Sequence, residues 1–167
     1  EVINPSNNTV LAKIPISSTE ELELAVQSAS KAQKEWAKVS IVKRADLILK
    51  LCSRIEERVE EFALMDTYNA GNAITFARKD VLQAVANMKY FAGLVREVKG
   101  ETFSMEPKHL NFSRQQPYGV VLKINSFNRP FRWCAEKLAA PILMGNAVII
   151  KNSEQAPISS LKFCELL

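Results

Sequence analysis

At 167 residues, with 47% of them hydrophobic and 24% charged, the chain has the composition of a folded globular protein, which excludes a disordered or low-complexity class. Its formal charge of +4 is spread over helices that also carry many glutamates, as in "SRIEERVEEF", so no nucleic-acid-binding surface is expected. No apolar run is long enough for a bilayer, and the opening "EVINPSNNTV" lacks the basic and apolar regions of a signal peptide, so the expectation is no membrane association and a cytoplasmic location.

The first stretch, "NPSNNTVLAKIPIS", reads as a turn and a short strand with Val10, Ile14 and Ile16 at its apolar positions. Ser18 and Glu21 fit a capping box, and Leu22, Ala25, Val26, Ala29 and Trp36 recur on one face, which predicts a helix from there to about Ala37. A second helical region covers 42–71, with Ile48, Cys52, Ile55, Val59 and Phe62 as its apolar stripe and Gly71 as its stop. A third covers 75–100, with Val81, Ala84, Met88, Phe91 and Val95 inward and Gly100 as terminator. The segment that follows is a connector with strand-like patches; it holds His109, the one histidine, which reads as an exposed structural residue. Cys52, Cys134 and Cys164 lack metal-ligand or redox spacing and read as small core hydrophobes, so no metal site is expected.

From Tyr118 the pattern changes. "YGVVLKINSF" is a short apolar run of the kind that a parallel strand buried on both faces requires, and Pro130 suits the first turn of a helix through "PFRWCAEKLAAPILMG". A second such strand, "NAVIIKNS", precedes a last helix, "APISSLKFCELL", with Pro157 near its start. Strand, helix, strand, helix is a βαβ unit, so the fold class is α/β, a parallel sheet preceded by N-terminal helices. Ligands bind such sheets at the C-terminal ends of the strands, here 125–128 and 151–155.

Two residue groups stand out there. Asn128 at a strand end is a turn former or a neutral hydrogen-bond donor to a ligand. Lys151 closes a buried strand and Glu154 follows three residues later; together they form a surface ion pair, or grip the vicinal diol of a ribose. The glycine-rich fingerprint G-x-G-x-x-G is missing, so phosphate binding gains no support from it.

"INSFNRPF", followed at the right interval by "EKLAAPILMGNAVIIKNSEQAP", resembles the paired motifs of the aldehyde dehydrogenase superfamily, a proline-aromatic-asparagine turn and G-N-x-V-x-x-K-P-S-E-x-[TS]-P. The likeness extends upstream through "VINPSNNTVLAKIPISSTEELELAVQSASKAQKEWA", "AGNAITFARKDV" and "YFAGLVREVKGETF", so it spans essentially the whole chain. It implies a Rossmann-like, truncated aldehyde dehydrogenase fold: residues 1–167 as the incomplete N-terminal part of an NAD(P)-binding domain, with 101–117 matching the oligomerisation hairpin. The implied reaction oxidises an aldehyde to a carboxylic acid through a cysteine thiohemiacetal, with NAD as cofactor and NADP as the second possibility.

By position in these motifs, Asn128 matches the oxyanion-hole amide. The backbone of Ile124, Asn125, Ser126 and Phe127 matches the segment along the cofactor. Lys151 and Glu154, with Ser153 beside them, match the adenosine-ribose contacts, and a glutamate there disfavours the 2′-phosphate of NADP. Arg129, Trp133 and Glu136 match the face that lines the substrate tunnel, and Lys137 a supporting lysine. Arg129 either meets a carboxylate of a polar aldehyde or extends to solvent.

The chain departs from the pattern in three places, with Ser126 and Asn152 where prolines are usual and Arg129 where an apolar or aromatic residue is common. The nucleophilic cysteine and general-base glutamate match nothing here, so the expectation is a fragment, inactive alone, of an enzyme that assembles as a homodimer or homotetramer. The alternative is a noncatalytic interaction module of the same fold.

Overall fold

The computed structural model describes residues 1–167. The chain opens on a small antiparallel pair, β1 (Val2–Ile3) and β2 (Val10–Ala12), of which only the second was expected. Asn4 makes the turn between them: its Oδ1 accepts from the Ser6 N–H and hydroxyl, and its own N–H donates to the Thr9 carbonyl. Helix α1 (Thr19–Trp36) starts on the capping box, the Glu21 N–H donating to Ser18 Oγ and the Ser18 N–H to Glu21 Oε2. Its packed face differs from the expected one. No residue of α1 is fully buried, and Leu22 and Val26 point to solvent, while Ala25, Ala29, Gln33 and Trp36 are half-buried. The inward side is set by polar anchors: Trp36 Nε1 donates to the Ile142 carbonyl and Gln33 to that of Gly145.

The second helical region is two helices, α2 (Ile41–Glu56) and α3 (Val59–Ala70), broken at Glu57 and Arg58. Gly71 ends α3 in the left-handed conformation, φ 73°, and its N–H donates to the Thr67 carbonyl, as its position implied. Helix α4 (Ile74–Leu94) runs into a 3₁₀ turn, Val95–Glu97, and so stops before Gly100. Gly100 serves the next element instead: a Cβ there would collide with the Ser113 carbonyl oxygen. That close approach closes a hairpin of β3 (Thr102–Glu106) and β4 (His109–Phe112), an ordered pair where the residues alone indicated only strand-like patches.

The βαβ unit follows. Strands β5 (Val120–Ile124) and β6 (Ala147–Lys151) pair in parallel, from Val120 opposite Ala147 to Ile124 opposite Lys151. The expected single helix between them is α5 (Pro130–Glu136) and α6 (Ala139–Leu143), and α7 (Ile158–Cys164) closes the chain. Pro141 explains the break, since it has no N–H for the Lys137 carbonyl and its ring would collide with that oxygen. Lys123 caps the interrupted helix through hydrogen bonds from Nζ to the carbonyls of Trp133 and Cys134. Burial pushes the Lys123 amine down to about 8. Neither strand is buried on both faces; Leu122 and Ile124 are exposed.

The core lies between α2, α3, α4 and the α5–α7 layer. Ile48, Cys52, Ile55 and Phe62 meet Val81, Ala84 and Met88, and Phe62, Phe131 and Phe163 stack in sequence, with centroids 4.4 and 5.7 Å apart. Each fully buried side chain of this size contributes on the order of 2 kcal/mol. Cys52 and Cys134 belong to this core, but Cys164 is exposed, contrary to the expectation for it. No helix is long and apolar enough to cross a membrane.

Candidate functional site

Parallel register brings the C-terminal ends of β5 and β6 to one edge. The Asn125 N–H donates to the Lys151 carbonyl at 2.9 Å, one step beyond the ladder, and Asn125 Nδ2 donates to Asn152 Oδ1 at 3.1 Å. The residue where the resembled pattern has proline therefore fastens the two loops together. Asn125 is 7% exposed and structural in its side chain, whereas Ile124 is 71% exposed.

Below this edge lies an open cleft of about 1210 Å³ between the N-terminal segment (Ile3, Pro5, Ile14–Ile16) and the loop after β6. Phe127, Ile150, Lys151, Ser153, Glu154 and Leu161 form its other wall. Lys151 Nζ lies 3.0 Å from Glu154 Oε2, and both side chains are largely exposed. A backbone hydrogen bond at Glu154 and then the Lys151 ammonium hold the Glu154 carboxyl below its usual range, so the site presents a carboxylate and an ammonium side by side. Ser153 Oγ accepts from the Gln155 N–H. Of the predicted cofactor contacts, Phe127, Lys151, Ser153 and Glu154 line the cleft, and Ile124, Asn125 and Ser126 do not.

Asn128 sits on the adjoining turn, outside the cleft lining. Its Oδ1 accepts two hydrogen bonds, from Ser126 Oγ at 2.8 Å and Trp133 Nε1 at 3.0 Å. An amide whose oxygen is held by two donors presents its NH₂ in the opposite direction. Ser126 thus supplies through its hydroxyl some of the restraint that a proline ring would give the turn. The Asn128 carbonyl also accepts from Asn72 Nδ2, tying the turn to the start of α4.

The face expected to meet substrate is an ion-pair network. Arg129 Nη1 approaches Asp80 Oδ1 at 3.4 Å and its guanidinium lies 5.0 Å from the Phe76 ring centroid. It therefore neither reaches into solvent nor keeps an uncompensated charge. Arg132, which sequence reasoning missed, joins Asp80 at 3.1 Å to Glu136 at 2.8 Å. Glu136 is buried, with Lys137 3.9 Å away, and Arg132 and Lys137 lie 5.6 and 5.7 Å from the centroid of the Trp133 ring. Asp66 was missed as well: it is 1% exposed, and burial pushes its carboxyl up to about 6 despite the Phe131 N–H that donates to it. Both acids had a signal in the sequence. Asp66 and Asp80 occupy helical positions flanked by Phe62, Ala63, Ala77 and Ala84, and an acid on an inward stripe needs a partner.

The model of the family described as "Aldehyde dehydrogenase family" matches residues 1–167. Aldehyde dehydrogenase tropH of Talaromyces stipitatus is 36% identical over 171 residues, covering 100% of this chain and 33% of its own length. Among solved structures, PnpE from Pseudomonas sp. WBC-3 superposes with a TM-score of 0.94, and PnpE in complex with nicotinamide adenine dinucleotide with 0.95, each at 32% identity over 99% of this chain and 34% of its own. Glyceraldehyde-3-phosphate dehydrogenase GapN from Methanocaldococcus jannaschii, complexed with NADP, gives 0.93 at 32% identity over 99% and 36%. The chain thus spans about a third of the length of the proteins it matches.

Proposed function

Since the chain belongs to the aldehyde dehydrogenase family, we propose that it is the cofactor-gripping, N-terminal portion of an NAD(P)-dependent enzyme that oxidises an aldehyde to a carboxylic acid. The observation that carries this reading is the Lys151–Glu154 pair, exposed at the cleft where two parallel strands end. The donor set fits a nucleotide ribose. Glu154 can accept from both hydroxyls of a vicinal diol, Lys151 can donate to their oxygens, and Phe127, Ile150 and Leu161 offer an apolar wall for a base.

The backbone of Ile124 to Phe127 runs along the cofactor in this reading, with Ser153 at the ribose. The negative charge of Glu154 makes NAD the preferred form over NADP. When bound, the cofactor supplies the oxidant for the two-electron step. Asn128 contributes the NH₂ left by its engaged oxygen, a neutral donor for the oxygen on which charge develops. Trp133 positions that amide, while Arg129 and Glu136 shape the tunnel wall and Lys137 supports it. The nucleophile and base lie outside these residues. The β3–β4 hairpin, within 101–117, serves assembly with further copies, since Phe103, Met105, Leu110 and Phe112 are all exposed on it.

Steady-state kinetics of the intact enzyme separate the two roles. Glu154→Gln is expected to raise KM for NAD and narrow its advantage over NADP with kcat unchanged. Asn128→Ala is expected to lower kcat by about 10²–10³ with cofactor KM unchanged. A Glu154→Gln enzyme with both cofactor KM values unaltered would remove the nucleotide from this cleft.

A further inference from the structure

Helices α5 and α7 leave the two strand ends and pack against each other in a fixed register. Ser160 Oγ donates to the Pro130 carbonyl at 3.1 Å, and the rings of Phe131, one residue further on, and Phe163, three residues further on, meet edge to face at 5.7 Å. Advancing one helical turn from Pro130 and Ser160 reaches Cys134 and Cys164, since residues four apart share a helix face. Their thiols act on each other. The neighbouring Cys134 thiol pulls the Cys164 thiol down to about 7, and the same neighbour, with burial, drives Cys134 upward. Cys134 is fully buried and Cys164 is exposed, so one sulfur of the pair is open to reagents and the other is held behind it.

We propose that Cys134 and Cys164 form a reversible intramolecular disulfide, made by exchange with a small-molecule disulfide and locking α5 to α7. The Cys164 thiolate attacks one sulfur of the reagent, whose S–S bond breaks to release one thiolate. Cys134 then gives up its proton and attacks the Cys164 sulfur of the mixed disulfide, releasing the second. Two protein thiols are oxidised, one small disulfide is reduced, and the two protons end on the released thiols. The bond joins the helix that follows Asn128 to the helix that follows Glu154, so it braces the edge of the cleft from behind. Cys52 has no part in it: it lies in the core on α2, and burial pushes its thiol up to about 11.

The test treats the purified protein with oxidised glutathione near neutral pH, counts thiols after denaturation and maps tryptic peptides without reduction. The expected result is loss of two of the three thiols and one linked species joining the Trp133–Lys137 peptide to the peptide that begins at Phe163. The Cys164→Ser protein, altered at an exposed position, should then lose none. Glutathione retained on Cys164 with Cys134 still titratable, a Cys164 link between two chains, or no loss of thiol would each overturn the proposal.

Discussion

Two carboxylates on the inner faces of α3 and α4 receive different company. Asp80 is met by the guanidiniums of Arg129 and Arg132, whereas Asp66 is met by one backbone N–H and has no cation beside it. One oxygen of each acid, and the Ser159 hydroxyl, lack a protein partner. Burial raises the Asp66 carboxyl from 3.8 to about 6, with the charge of Asp80 adding to the effect. The folded state therefore holds a proton that the unfolded chain has released between these values, so stability falls as pH rises through that window and levels off above it. A shift of this size corresponds to roughly 2–3 kcal/mol of cost at neutral pH. Asp66→Asn keeps an acceptor for the Phe131 N–H and turns an NH₂ toward the unpartnered oxygens, so it should stabilise the protein near pH 7 by up to that amount and leave it little changed near about pH 4. Urea midpoints of both proteins at the two pH values check this; a less stable variant at neutral pH would mean that the ionised carboxylate is held by its surroundings.

Between β5 and α6 the chain depends on a single amine to complete a helix end. Pro141 interrupts the helix, and Lys123 from the neighbouring strand satisfies the Trp133 and Cys134 carbonyls. Lys123→Met keeps the stem and removes the donors, leaving those carbonyls without their partner at a cost of about 1–3 kcal/mol. Chemical denaturation should show that loss, and hydrogen exchange should show earlier opening at Leu138–Leu143; an unchanged midpoint would assign the capping to water. This junction also shows what the sequence makes legible. Ser18 with Glu21, Gly71, and the apolar runs at 120–124 and 147–151 carry their meaning locally, and the helix start, the helix stop and both strands follow from them. The α5–α6 break is written in Pro141 but masked by apolar residues that continue past it, and the break at Glu57 and Arg58 has neither proline nor glycine to mark it. The inward face of α1 is set by Gln33 and Trp36 reaching carbonyls in 142–145, partners that no periodicity contains. Likewise Lys151 with Glu154 is readable from a strand end, but the Arg132–Asp80 contact depends on how α4 and α5 pack.

For the molecule as a whole, what is covered and what is left open follow different elements. The helical layers close over Phe62, Phe131 and Phe163, whereas the sheet has only two strands and shows Leu122 and Ile124 to solvent. Parallel strands are ordinarily covered on both faces and joined by further strands, so this surface is one that stability favours filling. The hairpin is the second open region, and its residues divide between two faces. Phe103 shares a face with Asn111, and Phe112 with Thr102, so apolar side chains project on both sides of a ribbon with no third layer. A two-stranded ribbon exposing aromatics on both faces gains most by lying between other elements, those of a second copy in the proposed assembly. The chain should therefore self-associate as concentration rises. Replacing Phe103 and Phe112 by Ser should weaken that association without lowering the unfolding midpoint, because neither side chain belongs to the core. Leu122→Thr with Ile124→Thr should instead reduce aggregation through the sheet and leave the hairpin-mediated state in place, since the substituted residues keep strand propensity. Sedimentation velocity over a concentration series distinguishes the two surfaces. If the hairpin variant associates as strongly as the parent and the sheet variant is monomeric, the contact runs through the open sheet and the hairpin has no role in assembly.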